Sequence, residues 1–468
     1  MDCILAEALS LNPVQDGSGR PLHLARRLDE QSPKAIAMRV LLGREPIPFF
    51  LRVHEALCAL IHSYDPLVIV TDWSDPCEVV GLRLETPDGT RDMPQLCFLA
   101  LETNWGDLSA SGIEHIFGHE LSHLWLHRMG YDAARSRANR FHTVTAITDG
   151  YLAFAEGFAE HLEILSAERM GTLNVDVLYD RGYDVGAWLC LRDEALRIHG
   201  VRENRFLYLP ALPEEDEDDY AALHAAHNTS SSVMPERLKN GAQAMASEGL
   251  IASFFYRVLR CNALLNKPLP DALRNALSDA PCAQEALLLR ELWVLSHVRM
   301  DSAHLLTDFV GAYGACFPQE REAMLRVFAE VTELVTVSRD APAVFGALYR
   351  IGRQGDVTAF KEALTQANAF KKQIMDGLLS GALALDGAVS PALWVDGDKL
   401  IRPMPWDAEQ LEPLRFDANT AAAVDFFSMN GLTLAQCRAL EAQRELQGGF
   451  ASMEEFLIAA QAIRSAEG

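Results

Sequence analysis

Positive charge is scarce in this chain. Its 468 residues include 41 Lys and Arg against 65 Asp and Glu, a net charge of −24. Such a surface repels phosphate backbones and anionic lipid, which disfavours sequence-independent binding of nucleic acid or of a membrane surface. Paired cysteines are missing too. The nine cysteines (Cys3, Cys58, Cys77, Cys97, Cys190, Cys261, Cys282, Cys316 and Cys437) are odd in number and contain no C-x-x-C. A disulfide scaffold or a cysteine zinc finger is therefore not expected, and reduced buried thiols are. No apolar run is long enough to span a bilayer. The N-terminal "MDCILAEALSLNPV" lacks the basic start and long apolar core of a signal peptide. The expectation is a cytoplasmic protein, with signal-independent export left open.

What is present is an ordinary globular composition, 49% hydrophobic and 23% charged, enough for two to four domains with proper cores. Residues 46–64 read as a helix. Strand-like runs follow at 66–73, 79–86 and 95–104, with "PDG" at 87–89 as a turn between the last two. Next comes an apolar helix, capped by Ser109 or Ser111, and a second helix over 148–169. The acidic run "PEEDEDD" at 213–219 reads as a solvated loop. From about 240 the pattern is helix after helix without a fixed repeat. The expected fold class is α+β, mostly α. Expected domains are a strand-rich lobe with one helix (1–108), a pair of catalytic helices and their surroundings (109–265), a helical domain (266–395), and a linker with a small tail module (396–468).

The apolar helix carries "GIEHIFGHELSHLWLHRMG", residues 112–130, with His115, His119, His123 and His127 spaced by four. His119-Glu120-Leu121-Ser122-His123 is an H-E-x-x-H. Residues four apart on a helix differ by about 40° in direction and one turn in rise, so both imidazoles can face one ion. Zinc takes nitrogen and oxygen ligands in a tetrahedron, with a position left for water. Glu120 beside it would be the general base and then the acid. His115 and His127 sit too far along the axis and read as packing or surface residues, as do His142 and His161. A third ligand is needed, and "AEGFAEHLE" offers Glu156, Glu160 and Glu163. The alternative is a core helix whose histidines are satisfied by packing.

Together these two segments resemble the gluzincin metallopeptidases, whose aminopeptidase branch follows H-E-x-x-H with a helix of the type N-E-G-F-A-E. Ala155-Glu156-Gly157-Phe158-Ala159-Glu160 matches that helix position for position. The resemblance covers roughly residues 46–170. It implies a thermolysin-like catalytic lobe, a bound Zn2+, and a peptide or protein substrate. It assigns the third ligand to Glu156 and makes Glu160 the carboxylate that holds a ligand histidine in place. It further implies that the last strand before the zinc helix is a free edge, along which substrate would pair with "CFLALETN". Where the aminopeptidases carry G-x-M-E-N, this chain has Leu101-Glu102-Thr103-Asn104, closer to the zinc helix than usual. Glu102 is thus the candidate amine anchor, and endo- or exopeptidase action stays open. Related enzymes stabilise the oxyanion with a downstream Tyr or His, for which Tyr220, His224, His227 and Tyr256 are candidates.

Residues 414–457 resemble a helix-hairpin-helix unit of the DNA-uptake and type II secretion kind. Asn419-Thr420-Ala421, Gly431, Arg444, Gly449-Phe450 and Ser452 match, and Thr433 replaces the second hairpin glycine. From residue 415 the tail has four Arg, no Lys and seven Asp or Glu. DNA binding is disfavoured, and a packed appendage or a protein-docking module is expected.

Overall fold

Alternation of apolar and polar residues along the first hundred positions builds a small closed barrel. The computed structural model describes residues 3–74, 77–170, 204–208, 220–230, 233–277, 279–404 and 410–466. The acidic run 213–219 lies outside them, as does Cys190. Five strands, β1 (Cys3–Gln15), β2 (Pro21–Arg27), β3 (Leu67–Thr71), β4 (Cys77–Thr86) and β5 (Gly89–Ala100), pair in the order β1-β2-β4-β5-β3, and β3 closes back on β1. Side chains two apart share a strand face. Val68 and Val70, Leu82 and Leu84, and Leu96, Phe98 and Ala100 accordingly share one core with Ala6 and Ala25.

The three strands read from the sequence are β3, β4 and β5, and the turn between the last two falls at Thr86–Gly89. Two features differ from expectation. Strands β1 and β2 were not foreseen: β1 is rich in Ala, Leu and Glu, which favour helix, and its register slips twice along β2, so its alternation is broken. The second concerns the edge. Strand β5 is paired to β4 on one side, and Leu99 and Ala100 are paired to Ile69 and Val70 of β3 on the other. Residues 101–104 have left the sheet. Within the segment "CFLALETN", expected to be a free edge, Leu99 and Ala100 are therefore occupied by β3.

The chain divides into two compact units. The first holds the barrel, α1 (Pro33–Leu42), α2 (Ile47–Leu60), α3 (Ile113–Arg128), α4 (Gly150–Met170) from Phe158 onward, and residues 262–301 with α7 (Ala283–Leu295). The second holds residues 133–157, the stretch ending at Cys261 with α5 (Tyr220–Asn228) and α6 (Glu248–Val258), and everything from Ser302 on. The division falls inside α4, which runs unbroken through it. In all, the fold is mixed α/β, with a small N-terminal sheet and many helices, among them strands β6 (Phe206–Tyr208) and β7 (Val233–Leu238) as a two-stranded ribbon.

Within the first unit α3 lies on α2. A Cβ on Gly118 would stand 2.6 Å from Phe50 Cζ, so only glycine permits this approach. Trp125, two residues after His123, donates from Nε1 to His54 Nδ1 at 2.9 Å, and Arg128 donates to the carbonyls of Asp65 and Pro66. The expected serine cap is absent: Gly112 is the N-cap, and Ser111 Oγ accepts from Asn104 N–H instead. Arg52 Nε donates to Glu285 at 2.7 Å and ties α7 to α2.

In the second unit, helices α8 (Leu305–Cys316), α9 (Arg321–Thr332), α10 (Ala341–Gln354) and α11 (Val357–Ser380) follow one another as the sequence suggests. Phe254 of α6 meets Phe309 and Phe328 edge-on, and Phe255 packs tilted against Phe309. The passage expected to be a linker is ordered into strand β8 (Trp394–Ile401), which pairs with β9 (Glu412–Asp417). The tail ends in α12 (Leu434–Gln447) and α13 (Met453–Ala466), packed around Phe416, Phe426, Phe450 and Phe456. The motif residues of this tail hold its own backbone. Asn419 accepts from Phe450 N–H and donates to the carbonyls of Phe450 and Pro391, and buried Arg444 donates to the carbonyls of Ala418 and Ala421. Thr433, the departure from the family pattern, caps α12: its hydroxyl accepts from Gln436 N–H, and Gln436 returns the bond.

Candidate metal centre

His119 and His123 occupy successive turns of α3, both 7% exposed, with ring centroids 4.9 Å apart. Glu120 lies between them in sequence and is 5% exposed. Helix α4 starts on Asp149, whose Oδ1 accepts from the N–H groups of Tyr151 and Leu152 and whose Oδ2 accepts from Ser136 Oγ and two further N–H groups. Along α4, Glu156, Glu160 and Glu163 stand at i, i+4 and i+7, one stripe about 60° wide.

His119, His123 and Glu156 each offer a ligand atom within 4.8 Å of the other two, and so do His119, Glu160 and Glu163. The two groups differ in kind. His119 Nδ1 is 2.7 Å from Glu163 Oε1. Two ligands of one tetrahedral ion held at about 2.0–2.1 Å stand roughly 3.3 Å apart, whereas 2.7 Å is a charge-assisted hydrogen-bond distance. Glu163 therefore stands as a close carboxylate neighbour on the Nδ1 side of His119. The first group offers two imidazoles and a carboxylate, the second one imidazole and two carboxylates, and either could hold a metal ion. Glu163, three residues beyond Glu160, is a second buried carboxylate close to His119. Glu160, 1% exposed, stands in the same buried group. His115 and His127 belong to neither group. Burial pushes the His161 pKa down to about 3, so that ring is neutral.

The other candidates are placed elsewhere. Glu102 is exposed in the loop after β5. Tyr220 donates to Val424 O and belongs to the core of the tail module. His224 Nε2 meets Asp425 Oδ1 at 3.1 Å, and Arg140 pairs with the same carboxylate, so His224 is committed to a buried polar cluster. His227 lines a cavity of about 30 Å3 beside Asp425, and burial lowers its pKa to about 4. Tyr256 lies under the Arg260 guanidinium at 4.5 Å.

His142, read from the sequence as a packing or surface residue, lies near Glu156. His142 Nδ1 lies 3.1 Å from Glu248 Oε2 and 3.9 Å from Glu156 Oε2. Residues 141–148, which carry it, are an irregular strap. Ile147 bridges Ser247, Thr148 N–H donates to Ala246 O, and the hydroxyls of Thr143 and Thr145 donate to Asn228 O. Glu248 opens α6 and is 1% exposed. A Cβ on Gly157 would stand 2.6 Å from Glu248 O, so α4 and α6 touch backbone to backbone beside Glu156. The one sequence signal was the "HTVT" run itself, whose threonines are the fastening points.

Among the described residues no helix is long and apolar enough to cross a membrane. Comparison with protein-family models, with curated proteins and with solved structures finds nothing that matches the chain, so the centre is read from its own chemistry.

Proposed function

We propose that the protein is a zinc-dependent peptidase. The observation that carries this reading is the approach of His119, His123 and Glu156 to within 4.8 Å, with Glu120 buried next to the first of them. Two imidazoles and one carboxylate are a donor set that fits zinc and leaves a fourth position for a reactant. The resemblance of α3 and α4 to the gluzincin helices supports the same reading.

Zinc held there supplies Lewis acidity, which polarises a carbonyl and makes water nucleophilic near neutral pH. The residues of the chain do the rest. Glu163 holds the Nδ1 proton of His119 so that Nε2 stays a lone-pair donor. Glu120 takes a proton from the attacking water as its oxygen joins the carbonyl carbon. It then delivers that proton to the leaving nitrogen as the C–N bond breaks, so one water is consumed and no other reactant is needed. A structural ion would not require Glu120, and a carboxylate kept buried at this position suits proton transfer.

The test is metal content and cleavage of a mixed peptide library by wild type and Glu120→Gln. About one zinc per chain is expected in both, with hydrolysis reduced about 10²–10⁴-fold in the variant. Equal cleavage by both proteins, or a wild-type chain that takes up no metal, removes the proposal.

A further inference from the structure

The tail resembles a docking module, and within its own unit it grips a second segment of the chain, residues 139 and 140, which lead into the strap. We propose that the docking partner of the tail is this chain itself, and that the contact braces the start of α4 and with it the placement of Glu156. The consequence for metal rests on the metal-centre reading above.

The contact is polar and specific. Asn139 Nδ2 donates to Pro413 O at 2.7 Å, and its Oδ1 accepts from Arg415 N–H at 2.9 Å. One side-chain amide thus satisfies an acceptor and a donor on the backbone of β9. Beside it the Arg140 guanidinium meets both oxygens of Asp425, Nη2 to Oδ1 at 3.1 Å and Nη1 to Oδ2 at 3.3 Å. These two side chains are 4% and 1% exposed. Separating a buried pair leaves each charge without its partner, so the grip is costly to release. On the tail side, Asp425 Oδ2 also accepts from Ala422 N–H at 2.7 Å, which ties the carboxylate to its own module.

The grip is passed on through Asp149. Between Arg135 and Gly150 the chain forms no helix or paired strand beyond the single Ile147 bridge, so its course is set by the groups it bonds. Asp149 Oδ2 accepts from Ser136 Oγ at 2.7 Å and from the N–H groups of Arg137 and Ala138. Its Oδ1 caps α4 through Tyr151 and Leu152 N–H. One carboxylate therefore joins the stretch held by the tail to the first turn of the helix, and Glu156 follows about two turns later. Loosening residues 139 and 140 loosens 136–138 and lets the first turns of α4 shift. The later strap is pinned separately by Thr143 and Thr145 on Asn228 O, and α4 abuts α6 at Gly157. The expected effect of losing the brace is a weakened site, not an abolished one.

The test uses the full chain. Zinc affinity is measured by chelator competition, and amide hydrogen exchange is followed in the metal-free protein over residues 136–152. In Asn139→Ala the dissociation constant should rise about 2–30-fold, the range for residues that act on a site through intervening structure. Exchange at Tyr151 and Leu152 should quicken. Thr433→Ala is the control: it removes the cap of α12 inside the tail and should leave both readouts at wild-type values. Wild-type affinity and exchange in Asn139→Ala overturn the proposal. So does Thr433→Ala that matches Asn139→Ala, because the effect would then be lost stability alone. Faster exchange with unchanged affinity overturns the link to Glu156. Should Asn139→Ala fail to fold, Arg140→Lys, which keeps a positive charge at Asp425 but gives up the paired contact, is read in the same way. A wild-type chain that takes up no zinc removes the metal-centre reading, and exchange then decides the brace by itself.

Discussion

Replacing Glu163 by Gln tests the arrangement behind His119. The carboxylate is 1% exposed and its Oε1 is 2.7 Å from Nδ1. A hydrogen bond to a charged group contributes about 1.5–3 kcal/mol and a neutral one about 0.5–1.5 kcal/mol. Gln keeps the shape and an acceptor but not the charge, so His119 becomes a poorer ligand by about 1–2 kcal/mol. Loss of such a partner commonly costs 10–100-fold in metal affinity, or about 1.4–2.7 kcal/mol, and the two estimates agree. At free zinc 100 times the wild-type dissociation constant, metal stabilises wild type by about 2.7 kcal/mol. A tenfold weaker variant would retain about 1.4 kcal/mol. The assay is chelator-competition titration with thermal unfolding at that zinc level, run beside Glu160→Gln. Glu163→Gln should lose affinity and Glu160→Gln should lose less. If Glu163→Gln matches wild type, or Glu160→Gln is the more damaging, the hydrogen bond assigned to Glu163 is wrong.

Two further expectations concern the second unit. Lys239 is fully buried, donates to Asn204 O and to Ser247 Oγ at 2.6 Å, and burial lowers its pKa to about 7 from 10.5. Between those values the unfolded chain holds a proton that the folded chain lacks. Stability should therefore rise with pH across this window, by up to about 1.4 kcal/mol per unit from this residue. Urea unfolding at pH 7, 8 and 9 should show that rise reduced in Lys239→Met, and parallel curves for the two proteins would contradict the assignment. Asn419→Ala strands one buried N–H and two carbonyls at the base of the tail module, which should cost about 3 kcal/mol or more in chemical denaturation. A loss below about 0.5 kcal/mol would mean that water replaces all three bonds.

The sequence made α3 and α4 legible because their chemistry is local. His119 and His123 are four apart, and one turn of helix brings them together whatever the rest of the chain does. The choice between Glu160 and Glu163 is not local. Both lie on the same stripe of α4, and which one meets His119 depends on the rotation of α4 against α3, set by packing. His142 was harder still. Its strap has no periodicity, and its position is fixed by Ser247, Glu248 and Asn228, some hundred residues later in the chain. Strands β3 to β5 are rich in β-branched, Leu or aromatic residues, whereas β1 has helix-favouring residues and two register slips. Closure of the barrel, in which Leu99 and Ala100 of the expected edge are occupied, is a property of β1 pairing with β3 and cannot be seen in either strand alone.

Charge gives the centre its sense. Glu120, Glu160, Glu163 and Glu248 are each 5% exposed or less, and Glu156 is largely covered. Burying one carboxylate costs several kcal/mol unless a positive charge or a proton compensates. The chain invests five of them around His119, His123 and His142. The proposed cation at His119, His123 and Glu156 would bring positive charge into this group, and two glycines bring neighbouring elements close beside those positions. Gly118 seats α3 on Phe50, and Gly157 seats α4 on α6, each beside a ligand. Substituting Ala at either glycine would push Phe50 or Glu248 away from these positions, so Gly118→Ala and Gly157→Ala should each weaken metal uptake in the chelator titration, and unchanged uptake in both would count against the proposed site.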